Sequence, residues 1–154
     1  MTACSDDSDE PGRSEVIAEL ESIWRSAGAG ADAATRPGYN RRPANSDRCG
    51  DLEESDRWVG RGSNQLPRGV RTQEQIIEGV VSHYREEGGT EVRRYRSAAS
   101  EERLVVVIDE ERKISVELFV GASGDSTARV AYSPCGAQGS AEPKAPFEPE
   151  PLDG

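Results

Sequence analysis

The chain has 154 residues, of which 34% are hydrophobic and only two are Phe and two Trp, so it has apolar material for one small core and not for two. Its 29 acidic residues outweigh 19 basic ones for a net charge of −10, which excludes nucleic acid as a partner, because phosphate binding needs a basic surface. No window approaches about 18 consecutive apolar residues, so membrane attachment through this sequence would need a lipid and not a spanning helix.

Residues 1–13 begin Met1-Thr2-Ala3-Cys4 and run through an acidic stretch to Pro11 and Gly12. They show no apolar period and are expected to form a flexible, solvated tether. Two small residues directly before a cysteine are what a lipoprotein signal peptidase requires, since the thiol is acylated and becomes the new N-terminus. The basic segment and the apolar stretch of about 7 to 15 residues that precede such a box in a signal peptide are missing. The expectation is therefore a true start upstream of Met1, with Cys4 as the lipidation site.

From Ser14 the pattern becomes helical. Val16, Ile17, Leu20, Ile23, Trp24 and Ala27 recur at helical spacing, with Ser14 as expected N-cap, Glu15 in the first turn and Gly28 at the exit. Residues 28–71 are poorly readable: Gly, Ala, Arg, Asp and Asn dominate, and Pro37, Pro43 and Pro67 limit any long helix. That stretch carries Cys49 and Trp58. Trp58 is expected to anchor the segment against the core, with ligand stacking as the alternative. Thr72-Gln73-Glu74-Gln75 is a capping-box pattern that opens a second helix with Ile76, Ile77, Val80, Val81 and Tyr84 on its apolar face; Gly88-Gly89 ends it. His83 lies beside that face and reads as a boundary residue.

After the double glycine the period switches to two. Strands are predicted over Thr90 to Ser97, Arg103 to Asp109, Lys113 to Val120 and Thr127 to Ser133, joined by connections of hairpin length and paired in sequence as an antiparallel meander. One face should take the helices and the other mostly meet water. Val105, Val107 and Phe119 break that polarity, which suggests that the middle segment partly covers the second face. Residues 137–154 are rich in Pro and Glu and are expected to stay disordered, with a polyproline recognition role for Pro143, Pro146 and Pro149 as the alternative. The fold class that follows is α+β: two amphipathic helices on a three- to four-stranded meander, occupying 14–136 between disordered tails.

With Cys4 set aside, Cys49 and Cys135 form an even pair in a chain that otherwise avoids cysteine. In an exported protein they read as a disulfide, which would stabilise a loop of that length by about 4 to 5 kcal/mol on chain-entropy grounds; in a cytosolic protein they read as two free thiols. Neither lies in a CxxC and His83 is the only histidine, so no metal is expected, nor any cofactor. There is no GxSxG, P-loop, HExxH or EF-hand pattern, and no catalytic residue is proposed. Arg93, Arg94 and Arg96 form the one compact basic group of the foldable part, suited either to an anionic partner or to protecting a sheet edge.

A lipobox-like cysteine, an amphipathic helix, a central cysteine, a capped helix ending in Gly, meander strands and a terminal Ser133-Pro134-Cys135 together resemble the small cell-envelope lipoproteins of actinobacteria. The resemblance spans about residues 1–136. It implies lipidation of Cys4, a Cys49 to Cys135 disulfide, a place on the outer face of the cytoplasmic membrane and an envelope protein or polymer as partner; it implies no activity. The expected function is accordingly a non-enzymatic, extracytoplasmic interaction module. Two alternatives stand beside it: a soluble intracellular domain, correct if Met1 is the true start, and an enzyme with a site between Cys49 and Trp58.

Overall fold

The computed structural model describes residues 13–27, 38–43, 56–66, 69–133 and 146–152, with the backbone alone at 13, 38–43 and 56–58. Helix α1 spans Arg13–Ser26 and buries Val16, Leu20, Ile23 and Trp24 along one stripe, the face set by their spacing of three and four. It starts one residue ahead of the expected N-cap, so Ser14 sits in its first turn. Helix α2 spans Gln73–Glu87 and forms the capping box: the Gln75 amide donates to Thr72 Oγ1 at 3.1 Å and the Thr72 amide to Gln75 Oε1 at 2.9 Å. Ile76, Ile77, Val80, Val81 and Tyr84 are its buried face, and Gly88, at φ 74°, ends it.

Seven strands follow the period-two pattern or extend it: β1 (Gly38–Pro43), β2 (Asp56–Gln65), β3 (Thr90–Ser97), β4 (Arg103–Asp109), β5 (Ser115–Val120), β6 (Ser126–Tyr132) and β7 (Phe147–Glu150). They form one antiparallel sheet in the order β1-β2-β6-β5-β4-β3-β7. Among the described residues the fold is thus α+β with two helices, as expected, and β3 to β6 are the expected meander. The meander is only the centre of the sheet, because three further strands come from the poorly readable segment and from the Pro-rich C-terminal stretch.

Two of those strands lie in the poorly readable segment. Within the described residues, β1 and β2 lengthen the sheet beyond β6 instead of layering over its second face. Val59 opposite Tyr132 through Gln65 opposite Ser126 gives a seven-pair ladder, so backbone hydrogen bonding, not side-chain pattern, fixes β2. The third, β7, corrects the reading of 137–154 as a tail unable to fold. It pairs antiparallel with β3, from Arg94 opposite Glu150 to Ser97 opposite Phe147. An edge strand can carry proline where the absent N–H would point away from the ladder, which is why Pro149 does not forbid it.

Both helices lie on one face, α1 over β2, β5 and β6 and α2 over β3, β4 and β5. The core between them joins the helix stripes to Val105, Val107, Val116, Leu118, Val120 and Ala131. The opposite face is not simply polar: Tyr95, Leu104 and Val106 are buried there, with Ile108, Phe119 and Phe147 packed against them. The β5–β6 turn closes against the N-terminus of α2. Gly124 has φ 75°, and a Cβ on it would fall 2.5 Å from the Arg71 carbonyl oxygen and 3.0 Å from the Gln73 nitrogen. Only glycine satisfies both the backbone angle and the approach.

Candidate functional site

Strand alternation divides the arginine group that the sequence presents as one patch. Arg93 lies opposite Val106, on the face away from the helices, and its Nε donates to Glu91 Oε2 at 2.8 Å. Arg94 and Arg96 lie opposite Val105 and Arg103, on the face beneath α2. There they meet Arg103 and form a seat at the sheet margin. Two carboxylates of α2 line it: Arg103 Nη1 donates to Glu74 Oε1 at 2.5 Å and Arg94 Nη1 to Glu78 Oε2 at 3.0 Å.

The third carboxylate in the seat comes from the C-terminal segment. Glu150 accepts from Arg103 Nη2 at 2.7 Å, and its oxygens lie 4.0 Å from Arg94 Nε and 4.0 Å from Arg96 Nε. Its side chain is only 10% exposed, against 17% for Arg103 and 16% for Arg94, so these charges interact with less screening than surface pairs do. Burial alone would lower the Arg103 pKa, but hydrogen bonds to Glu74 and Glu150 hold it above its ordinary value. The bond from Arg103 in turn holds the Glu74 carboxyl below the usual range.

Main-chain and apolar contacts complete the grip on this segment. Ala98 N–H donates to the Pro146 carbonyl at 2.9 Å, Arg94 Nη2 to the Pro151 carbonyl, and Arg85 Nη2 to the Leu152 carbonyl at 3.5 Å. Phe147 tilts against Phe119 with ring centroids 5.9 Å apart on one face, while Leu152 packs on the helix-side core. The margin of the sheet therefore holds residues 146–152 by a carboxylate, by backbone and by an apolar group on each face.

A second polar feature lies at the other end of α2. Glu19 and Ser22 of α1, Tyr84 and Glu87 of α2 and the β4–β5 turn from Asp109 to Arg112 line a cleft of about 510 Å³. Asp109 Oδ1 accepts from the amides of Glu111 and Arg112 at 3.0 and 2.7 Å, so its side chain shapes the turn. Arg112 Nη2 bridges Asp109 Oδ2 and Glu19 Oε2, both at 2.8 Å. Burial raises the Glu19 pKa despite that bridge. For Asp109 burial acts upward too, but the bonds from Arg112 and the Glu111 amide prevail and lower it. Burial also raises the Tyr84 hydroxyl, which shares a 2.8 Å hydrogen bond with Ser22 Oγ.

Among the described residues the largest fully buried side chain is charged. Arg129 is 1% exposed, stacked with its guanidinium carbon 4.6 Å from the Trp24 ring centroid, and its Nη1 donates to Asn64 Oδ1 at 2.5 Å. A Cβ on Gly62 would come within 3.1 Å of that guanidinium, so the strand leaves room for it by having no side chain there. Burial lowers the Arg129 pKa, with Glu21 acting weakly the other way. This arginine ties α1 to β2 and β6 from inside.

Of the other residues singled out by sequence, Cys4, Cys49 and Cys135 lie outside the described residues. So does the side chain of Trp58, whose backbone pairs with Arg41 in β2. His83 is half-exposed, its Nε2 3.7 Å from Glu87 Oε2. Among the described residues no group of His, Cys, Asp and Glu is arranged to hold a metal, and no helix is long and apolar enough to cross a membrane. Sequence reasoning missed Glu74, Glu78, Arg103 and above all Glu150. The alternation Phe147-Glu148-Pro149-Glu150 was the available signal, hidden by its proline. No family model matches the chain, and neither a curated protein nor a solved structure matches it.

Proposed function

We propose that this protein is an extracytoplasmic envelope protein, lipid-anchored through Cys4 to the outer face of the cytoplasmic membrane, whose α+β domain works by binding and not by catalysis. The observation that carries the binding reading is the seat of Arg94, Arg96 and Arg103, which holds the carboxylate of an extended strand beside a sheet edge. Sheet-edge receptors take peptide ligands by main-chain hydrogen bonds, with side-chain sites beside the edge giving specificity. The location rests on the sequence alone: Thr2-Ala3-Cys4, and a Cys49 and Cys135 pair suited to an oxidising compartment. One acyl chain binds a membrane only marginally, so anchorage requires the multiple acylation of a lipoprotein.

The test is expression from genomic DNA that includes the region upstream of Met1, followed by detergent phase partition and mass measurement of the N-terminal peptide. The expected protein enters the detergent phase with an acylated Cys4, and Cys4→Ala leaves it in the aqueous phase. An in-frame stop codon directly upstream, or an unmodified Cys4 in an aqueous wild-type protein, would defeat the location.

A further inference from the structure

The seat on β3 is filled by the chain itself, and the manner of filling is that of a ligand. Segment 146–152 follows β6 only after thirteen residues, 133–145, and forms a four-residue strand at the sheet's margin. Its ladder to β3 has only four residue pairs, and Pro149 leaves no N–H on the outer side for a further strand. What the strand lacks in backbone bonding it makes up in side chains: Phe147 on one face, Glu150 between the arginines, Leu152 on the core. A short edge strand held by a few anchors opens locally at lower cost than the central strands do. Behind it, the arginines of the seat are held independently, since Glu74 and Glu78 of α2 pair with Arg103 of β4 and Arg94 of β3.

We propose that the outer edge of β3 is a peptide-binding site and that residues 146–152 are its resident, self-inhibitory occupant. The partner is an extended acidic segment of another protein bearing an aromatic residue, a glutamate three positions later and an aliphatic residue two beyond that. It would enter by strand addition, its aromatic against Phe119, its carboxylate on Arg103 and Arg94, its aliphatic group where Leu152 now packs. The tethered tail sets a high local concentration that a partner must exceed, so the site answers only a partner of better fit or higher local density. This proposal rests on the reading of the domain as a binding module but not on the lipid anchor.

The experiment uses the full chain and a fluorescein-labelled peptide of residues 145–152, APFEPEPL, read by fluorescence anisotropy. Glu150→Ala weakens the resident tail and leaves the seat intact, and it should raise peptide affinity at least tenfold over wild type. Adding Arg103→Ala to that variant should remove the gain, and a scrambled peptide should show none. Equal binding by wild type and Glu150→Ala, or full binding without Arg103, would overturn the proposal. So would a wild-type dimer formed by tail exchange in sedimentation, since the occupant would then be a second copy. Hydrogen exchange on the wild type decides independently of any variant's folding. The amides of Glu148 and Glu150 should exchange at least a hundredfold faster than those of Val105 and Val107. If they exchange together with β4, the strand opens only with the whole domain and the proposal is wrong. Loss of peptide binding leaves the Cys4 anchor standing, and an unacylated Cys4 leaves the peptide site standing.

Discussion

Gly124→Ala tests how tightly the β5–β6 turn is locked to the second helix. The backbone there has φ 75°, which costs a side-chain-bearing residue about 1 to 2 kcal/mol on sterics alone. Gly89 provides the internal control: its φ is 80°, and a Cβ on it would meet nothing within 4 Å. Gly89→Ala should therefore lose only that conformational cost. At position 124 the new Cβ would also stand 2.5 Å from the Arg71 oxygen and 3.0 Å from both the Gln73 nitrogen and the Thr72 carbonyl carbon. These are backbone atoms at the start of α2, so no side-chain rotation relieves the overlap. Either the turn or the helix start must move, and moving the start sacrifices the Thr72 cap, a loss of about 1 kcal/mol and up to about 2. The sum is about 3 kcal/mol for Gly124→Ala against about 1 to 2 for Gly89→Ala. Urea denaturation of both variants, with the slope compared as well as the midpoint, measures the difference. If the two substitutions cost the same to within about 0.5 kcal/mol, the turn is not in contact with the helix start and the packing described here is wrong.

Other outcomes are expected at the polar features. Arg129→Met removes a buried charge whose described polar partner is Asn64 and keeps most of the volume, so its stability should lie within about 1 kcal/mol of wild type or above it; a chemical-denaturation loss beyond about 3 kcal/mol would mean that the guanidinium serves a carboxylate. Glu19 has a raised pKa, so the folded state binds its proton more tightly than the unfolded chain, and its contribution is favourable at low pH and lost as pH rises through the folded value. Glu19→Gln should therefore gain on wild type as pH rises above the ordinary glutamate value, and thermal melts showing a pH-independent gap would refute it. Asp109 and Glu74 act oppositely, their stabilisation being present above their ordinary values and lost on acidification. Lys113 sits at φ 63° on the exposed β4–β5 turn, and Lys113→Gly should raise stability by about 0.5 to 1 kcal/mol, visible as a higher melting temperature.

What was legible in the sequence was whatever buried apolar side chains at a regular period. The stripe of α1, the capping box at Thr72 and the four meander strands all follow from such periods, and the structure places them within one or two residues of expectation. The β2 strand escaped because Gly60, Gly62, Ser63 and Asn64 carry no apolar alternation, and its place is set by a ladder to β6 and by Arg129 closing over Gly62. Both are contacts with residues some seventy positions away, which no local pattern encodes. The arginines of β3 were visible, but not the carboxylate that meets them, because Glu150 lies in a segment whose composition argues for disorder.

That mismatch has a physical meaning. A segment whose composition favours a solvated chain, yet which docks through three spaced anchors, has the character of a recognition peptide: it owes its order to the surface that receives it. The central strands need no such partner, since Val105, Val107, Val116 and Leu118 are buried by the helices whatever happens at the margin. The stability of the central core and the docking of segment 146–152 are thus held by different residues. Changes at Glu150 should move tail occupancy while leaving the unfolding of the β4–β5 core nearly unchanged, and changes at Leu118 should do the reverse.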